Sequence, residues 1–229
     1  PIWYNADINL ERKRVILSKP LAIFDFDGTM ISGDSIIRYT AYAMRRGYEP
    51  WRNIIPQLWQ GLKAVCGLMS ATEGKSRALS FLARMSREEQ SEFNRAFCRD
   101  ILMPRIFPKA LERMEAHRRE GLYILLVSAS PDAYISHLKY FLPVDAIIAS
   151  PTDERGRVSS STRGEEKARR VREWAAAQDT LIDWAGSFSY GNSANDLPVM
   201  RLTGHPVCVN PSRRMKKLAP DLPAEQWKA

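Results

Sequence analysis

The sequence predicts an α/β protein built on a central parallel sheet, with an all-helical segment inserted after the first strand. Three observations carry that prediction. The apolar run Leu21-Ala-Ile-Phe24 lies between Pro20 and Asp25-Phe-Asp-Gly28, the signature of a buried strand. Residues 35–107 then carry helical spacing and no strand signal. After Pro108, strands and helices alternate steadily, which calls for parallel pairing with right-handed crossovers.

Residues 1–20 are polar and mixed, an extension leading into the first strand. At that strand's carboxyl end stand Asp25 and Asp27, where open α/β sheets place their ligands. Gly28 permits the chain to turn away and leave both acids beside a crevice. Like charges this close call for a cation between them or a protonated partner. The plainer alternative is a strand end with two solvated acids. Ile31-Ser-Gly-Asp34 is loop-like, and Ile36 to Met44 has helical spacing that stops at Gly47. A helix is expected over 51–68, with Ile54, Ile55, Leu58, Leu62 and Val65 on one face and Pro56 in its first turns. Ser70-Ala-Thr-Glu73 and Ser86-Arg-Glu-Glu89 read as capping boxes opening helices over 74–85 and 88–102, and Pro104 and Pro108 close the region. Trp51, Trp59, Met69 and Met85 are read as core, with some of them free to face a crevice.

A helix over 110–119 ends at Gly121, and a second buried strand over 122–127 ends in Ser128-Ala-Ser130. Pro131 opens a helix over 132–141, and 144–149 is a third strand. Arg155-Gly156 suggests a hairpin; 164–178 is a helix bearing Lys167. A fourth strand over 187–190 runs into Gly191-Asn-Ser-Ala-Asn-Asp196. A helix over 197–202, a strand over 206–209 and a basic helix from Ser212 complete the chain.

At 229 residues the chain can bury a sizeable core, and 45% hydrophobic with 26% charged residues is ordinary for a globular protein. No apolar run approaches the roughly 18 residues needed to cross a membrane. The amino terminus lacks the charged and apolar regions of a signal peptide. Cys66, Cys98 and Cys208 are odd in number and far apart, which argues against a disulfide framework or a zinc site and points to a reducing cytoplasm. The net charge of +8 is spread over separate basic pairs, read as solvated helix faces; attraction of anionic substrates or acidic lipid is a lesser reading. No nucleic-acid motif accompanies it.

Four segments thus converge on one side of the sheet. Alone, Ser128 would be a helix cap, Lys167 a surface charge and the 191–196 turn unremarked. Their order resembles the haloacid dehalogenase superfamily: Asp25-Phe-Asp-Gly-Thr29, then Ser128, then Lys167, then Gly191-Asn-Ser-Ala-Asn-Asp196. Phe24 to Ser35, Leu126 to Pro131 and His205-Pro-Val-Cys-Val-Asn-Pro211 resemble its phosphoserine-phosphatase-like branch, over residues 20–218. The resemblance implies a Rossmann-like three-layer core over 1–34 and 108–229 and a small helical cap over 35–107.

It also implies a magnesium-dependent phosphatase acting on a small phosphate ester through an aspartyl-phosphate. Asp25 would be the nucleophile, Asp27 the general acid and base, and Lys167 the catalytic cation. Gly28, Thr29, Ser128, Ala129, Lys167 and Asn195 would surround the phosphate, with Asp34 toward the rest of the substrate. Asp25, Asp27 (through its carbonyl), Asn192 and Asp196 would hold Mg2+ and its waters. Two positions depart from the branch. Asn192 replaces an expected Asp and weakens the metal site; it suits a natural variant that still works, an introduced change that traps the protein, or a chain that has lost catalysis, and retained or weakened chemistry is favoured. Asp34 replaces a Glu that meets the amino group of phosphoserine, which leaves other alcohol phosphates open, lipid head-group phosphates among them. The alternatives are therefore a phosphate-ligand-binding domain and a peripheral lipid phosphatase.

Overall fold

The computed structural model describes residues 18–48 and 70–228. The expected helix over 51–68, Trp51, Trp59 and Met69, and most of the 1–20 extension lie outside the described residues. The chain opens with β1 (Ser18–Lys19) and β2 (Leu21–Phe24), then passes through α1 (Ser35–Arg45), α2 (Ala71–Ala78) and α3 (Arg87–Phe97). It returns through α4 (Pro108–Arg119) to β3 (Tyr123–Pro131), α5 (Asp132–Ile135), β4 (Ala146–Ser150) and α6 (Glu165–Ala176). Then follow β5 (Leu181–Ile182), β6 (Phe188–Gly191), α7 (Leu197–Met200), β7 (His205–Val209), α8 (Arg213–Leu218) and β8 (Ala224–Glu225).

Six strands form one parallel sheet in the order β4-β3-β2-β6-β7-β8. Leu21 to Phe24 lie opposite Tyr123 to Leu126 on one side, and Ala22 to Phe24 opposite Phe188 to Tyr190 on the other. The chain leaves β2 toward β3 and β4, then comes back to β6 on the opposite flank. The carboxyl ends of β2 and β6 therefore border the switch point where such sheets hold ligands.

All four residues of β2 are buried, so both its faces must be covered. Alternation sends Ala22 and Phe24 into one core and Leu21 and Ile23 into the other. The first core joins the sheet to the cap: Phe24, Leu126 and Tyr190 continue into Tyr39, Phe81, Phe97 and Tyr134. The second is aliphatic, with Leu125, Val127, Ala168, Val171, Met200 and Met215. Each Leu, Val or Met side chain among them, fully buried, contributes about 1.5–3 kcal/mol.

The cap's turns refine the expected helices. Ser86 and Glu89 make the full reciprocal capping box on α3. Ser70 accepts from the Glu73 amide at 3.1 Å, while the Glu73 carboxylate pairs with Arg77. The stretch expected as one helix over 74–85 is α2 followed by a tight turn at Ser80–Arg84, and α3 widens into a π-type turn at Cys98–Leu102. Likewise α5 gives way to a 3-10 turn at Ser136–Tyr140. Met85 is buried in the cap core. The two-residue strands β1, β5 and β8 were not expected, because two residues are too few to show a period. Among the described residues, no helix is long and apolar enough to cross a membrane.

Candidate active site

The β2 ladder ends on Asp25, whose amide donates to the Tyr190 carbonyl at 2.9 Å. One carboxylate oxygen, Oδ1, accepts from Lys167 Nζ at 2.6 Å and the other, Oδ2, from Thr29 Oγ1 at 2.8 Å. Lys167 also donates to Asp196 Oδ1 at 2.7 Å. Local sequence explains how the ammonium arrives there. Gly164 starts α6 with φ +59° and donates its amide to the Asn195 carbonyl at 3.2 Å, docking the helix end on the 191–196 loop. Lys167, Ala168 and Val171 then share the buried face of α6. Gly191 keeps the same loop tight, since a Cβ there would lie 2.6 Å from that of Asp196.

Two buried carboxylates share one buried ammonium, so the cluster is one positive charge short. Burial and the charge of Asp196 push Asp25 up to about 7, against the pull of Lys167. Burial also disfavours ionised Asp196, but Lys167 and the Ser193 donors outweigh it and hold that carboxyl below its usual range. Ser193 donates to Asp196 Oδ2 through its amide at 2.9 Å and its hydroxyl at 2.8 Å. Burial disfavours the Lys167 charge, yet the two acids hold it well above its ordinary value.

Asp27 lies in a different setting. Its Oδ1 accepts from the Ser35 amide at 2.6 Å; Oδ2 accepts from Ser130 Oγ at 2.6 Å and Ser35 Oγ at 3.1 Å. Burial and the nearby Asp34 push it up to about 6, against those donors. The turn that follows the two acids needs glycine: Gly28 has φ +79°, and a Cβ would stand 2.1 Å from Asn192 Nδ2.

Asp25, Asp27, Asp34, Ala129, Lys167, Asn192, Asn195 and Asp196 all line one cleft of about 230 Å³. That volume lies below the roughly 300–1,000 Å³ of drug-sized ligand sites, so only a small ligand fits within it. Ser128 and Thr29 lie beneath its surface: Ser128 Oγ accepts from the Ser130 amide at 3.0 Å, and Thr29 is fully buried against Asp25. Exposed Asp34 caps α1, accepting from the Ile36 amide at 3.0 Å. A larger concavity of about 740 Å³, lined by Arg87, Glu92, Arg95 and Phe141, holds none of these groups.

Sequence reasoning missed Lys75, Arg163, Ser35, Ser130, Tyr134 and Ser193. Ser35, Ser130 and Ser193 stand inside the motifs over 24–35, 126–131 and 191–196. Lys75 carried no signal, being one of many helix-surface cations. From α2 it reaches down to donate to the Ala129 carbonyl and, at 3.2 Å, to Ser161 Oγ. Burial and nearby Arg163 push its ammonium down to about 8, against the pull of Asp34 and Asp27.

Among the described residues, no three His, Cys, Asp or Glu side chains converge as a ready metal cluster. The side chains lining the cleft that could ligate a metal offer oxygen: the carboxylates of Asp25, Asp27, Asp34 and Asp196 and the amides of Asn192 and Asn195. Hard oxygen donors around a site short of one positive charge fit a magnesium ion.

A sequence profile of the haloacid dehalogenase-like hydrolases matches residues 22–201. The chain is 30% identical over 210 residues to a histidinol-phosphatase of Neisseria meningitidis, covering 88% of this chain and 95% of that protein. Its fold matches a protein of unknown function from Bordetella pertussis with a TM-score of 0.82, at 24% identity, over 91% of this chain and 98% of that one. It also matches a phospho-aspartyl intermediate analogue of phosphoserine phosphatase with a TM-score of 0.64, at 17% identity, over 93% and 96% of the two chains.

Proposed function

The chain belongs to the haloacid dehalogenase-like hydrolase family, and from that premise we propose a magnesium-dependent phosphatase of small organic phosphomonoesters. The observation that carries the reading is the Asp25–Lys167–Asp196 cluster, set at the carboxyl end of the central strand and open to a cleft that Asp27 shares.

Asp25 attacks phosphorus in line, and a phosphorus–oxygen bond forms to its carboxylate as the bond to the leaving oxygen breaks. Asp27 gives a proton to that leaving oxygen. In the second step Asp27 takes a proton from water, which attacks the aspartyl-phosphate and frees Asp25. Lys167 holds Asp25 in place and offsets charge on the transferring group. Asp25, Asp196, Asn192 and the Asp27 carbonyl would hold magnesium, which supplies the positive charge that the cluster lacks. Asn192 offers that ion a neutral oxygen, so weak metal affinity is part of the proposal.

At the mouth, exposed Asp34 suits an amino group, while Lys75 and Arg163 suit anionic groups. Histidinol phosphate and phosphoserine, suggested by the relatives' names, are the first esters to assay. Phosphate release from such a panel with magnesium is expected, and Asn192→Asp should saturate at about tenfold lower magnesium. No release from any ester, with Asn192→Asp equally silent, would sink the phosphatase reading and favour a phosphate-ligand-binding domain.

A further inference from the structure

Asp27 is held by a cluster of hydroxyls that the phosphoryl-transfer steps above leave without a role. Ser130 Oγ and Ser35 Oγ both meet Oδ2, at 2.6 and 3.1 Å. The two serine hydroxyls also lie 3.0 Å from each other, and Ser35 Oγ lies 2.9 Å from the Tyr134 hydroxyl. Ser35, Ser130 and Tyr134 are all buried. Ser35 is the first residue of α1 in the cap; Ser130 is the penultimate residue of β3 and Tyr134 sits on α5 in the core. Tyr134 is itself clamped by the cap, stacked on Tyr39 at 4.5 Å and edge-on to Phe97 at 5.4 Å.

Counting hydrogens shows what the cluster can do. Oδ1 meets an amide, which can only donate, whereas Oδ2 meets hydroxyls, so Oδ2 is the oxygen whose protein partners can accept a proton. Oδ2 faces two hydroxyls, which can donate or accept. When Asp27 is ionised, Tyr134 donates to Ser35, and both serines donate to Oδ2. When Oδ2 carries a proton, it donates to Ser130, and Ser130 turns its own hydrogen to Ser35. Ser35 then donates once and accepts twice, its full capacity. Only the Ser130 hydrogen has to move between the two states. The 3.0 Å contact between the serines, idle in the first state, is used in the second.

We propose that Ser35, Ser130 and Tyr134 are positioning residues whose hydrogen bonds fix the Asp27 carboxyl by Oδ2 for its part in both steps, with α1 of the cap supplying half of the hold. The proposal rests on the phosphatase reading. As the phosphorus–oxygen bond breaks, its electron pair stays on the leaving oxygen, which takes the Oδ2 proton in place of Ser130. In the second step Oδ2 takes a proton from the attacking water, and Ser130 turns to accept it again.

The test compares an alkyl phosphate, whose leaving oxygen needs that proton, with p-nitrophenyl phosphate, whose leaving group departs as a stable anion. In Ser130→Ala the alkyl-to-aryl ratio of kcat should fall about tenfold, and in Tyr134→Phe severalfold, as expected for a misplaced acid. Equal loss on both substrates, or no loss, would overturn the proposal. A wild-type chain that hydrolyses neither ester would sink the phosphatase reading instead. The positioning claim is then decided by a crystal structure of Ser130→Ala: Oδ2 should turn away from the Ser35 hydroxyl, and an unmoved carboxyl overturns it.

Discussion

Asp25 and Asp27 are the same residue type two positions apart, and their surroundings share almost nothing. Asp25 sits against a fixed ammonium, a charged donor that favours its carboxylate form. Asp27 sits among one amide and two hydroxyls, neutral groups that accommodate a carboxylate or a carboxylic acid. The difference teaches that backbone proximity does not set a carboxylate's surroundings; the charge and hydrogen-bonding capacity of the groups packed against it do. Burial raises both, Asp25 to about 7 and Asp27 to about 6. For Asp25 the rise also reflects a missing positive charge, because Asp196 competes for Lys167.

The sharpest way to break the comparison is to neutralise each acid in turn. Asp25→Asn should abolish phosphate release from alkyl and aryl esters alike, measured by colorimetric phosphate assay. Asp27→Asn should lower alkyl-ester turnover by about 10²–10⁴, the usual worth of a general acid, while retaining more of the aryl-ester rate. Equal behaviour of the two variants would erase the distinction between the two pockets.

Removing the ammonium is next in size. Lys167→Met leaves two buried carboxylates facing each other without their cation, and breaking such a pair costs about 3–5 kcal/mol. A lowered denaturation midpoint in chelator at neutral pH checks this. Because the two acids then repel, the loss should shrink as pH falls and protons take the cation's place. An unchanged midpoint would mean that Lys167 does not hold the charged pocket together.

The smallest effect concerns Lys75, a cation that lines the same cleft. Burial first, and Arg163 second, lower its pKa to about 8, so its charge is present below that pH and lost as pH rises through it. KM for an ester carrying a second anionic group should therefore rise severalfold between about pH 7.5 and 9. In Lys75→Met that rise should vanish, with KM high throughout; a pH-dependent KM in the variant would assign the effect elsewhere.

Much of this was legible in the sequence for a local reason. A buried strand, a glycine turn and a helix cap each depend on neighbours a few residues away, so Leu21 to Thr29, Ser86 to Glu89 and the strand–helix alternation could be read directly. The pairing of Asp25 with Lys167 spans 142 positions and was legible only through a family resemblance. Lys75 and Tyr134 were not legible at all. On a sequence they are a surface lysine and a core tyrosine, and their separations from Ala129 and Ser35, 54 and 99 positions, carry no periodic signal.

By itself the sequence determined that two acids stand at the end of a central strand and that Gly28 turns the chain beside them. Only the tertiary structure decided that one acid meets an ammonium and the other meets hydroxyls. The physical reason is that spacing fixes where a side chain starts, whereas its charge and protons answer to whatever packs against it, and here those partners come from the far side of the cleft and from the cap.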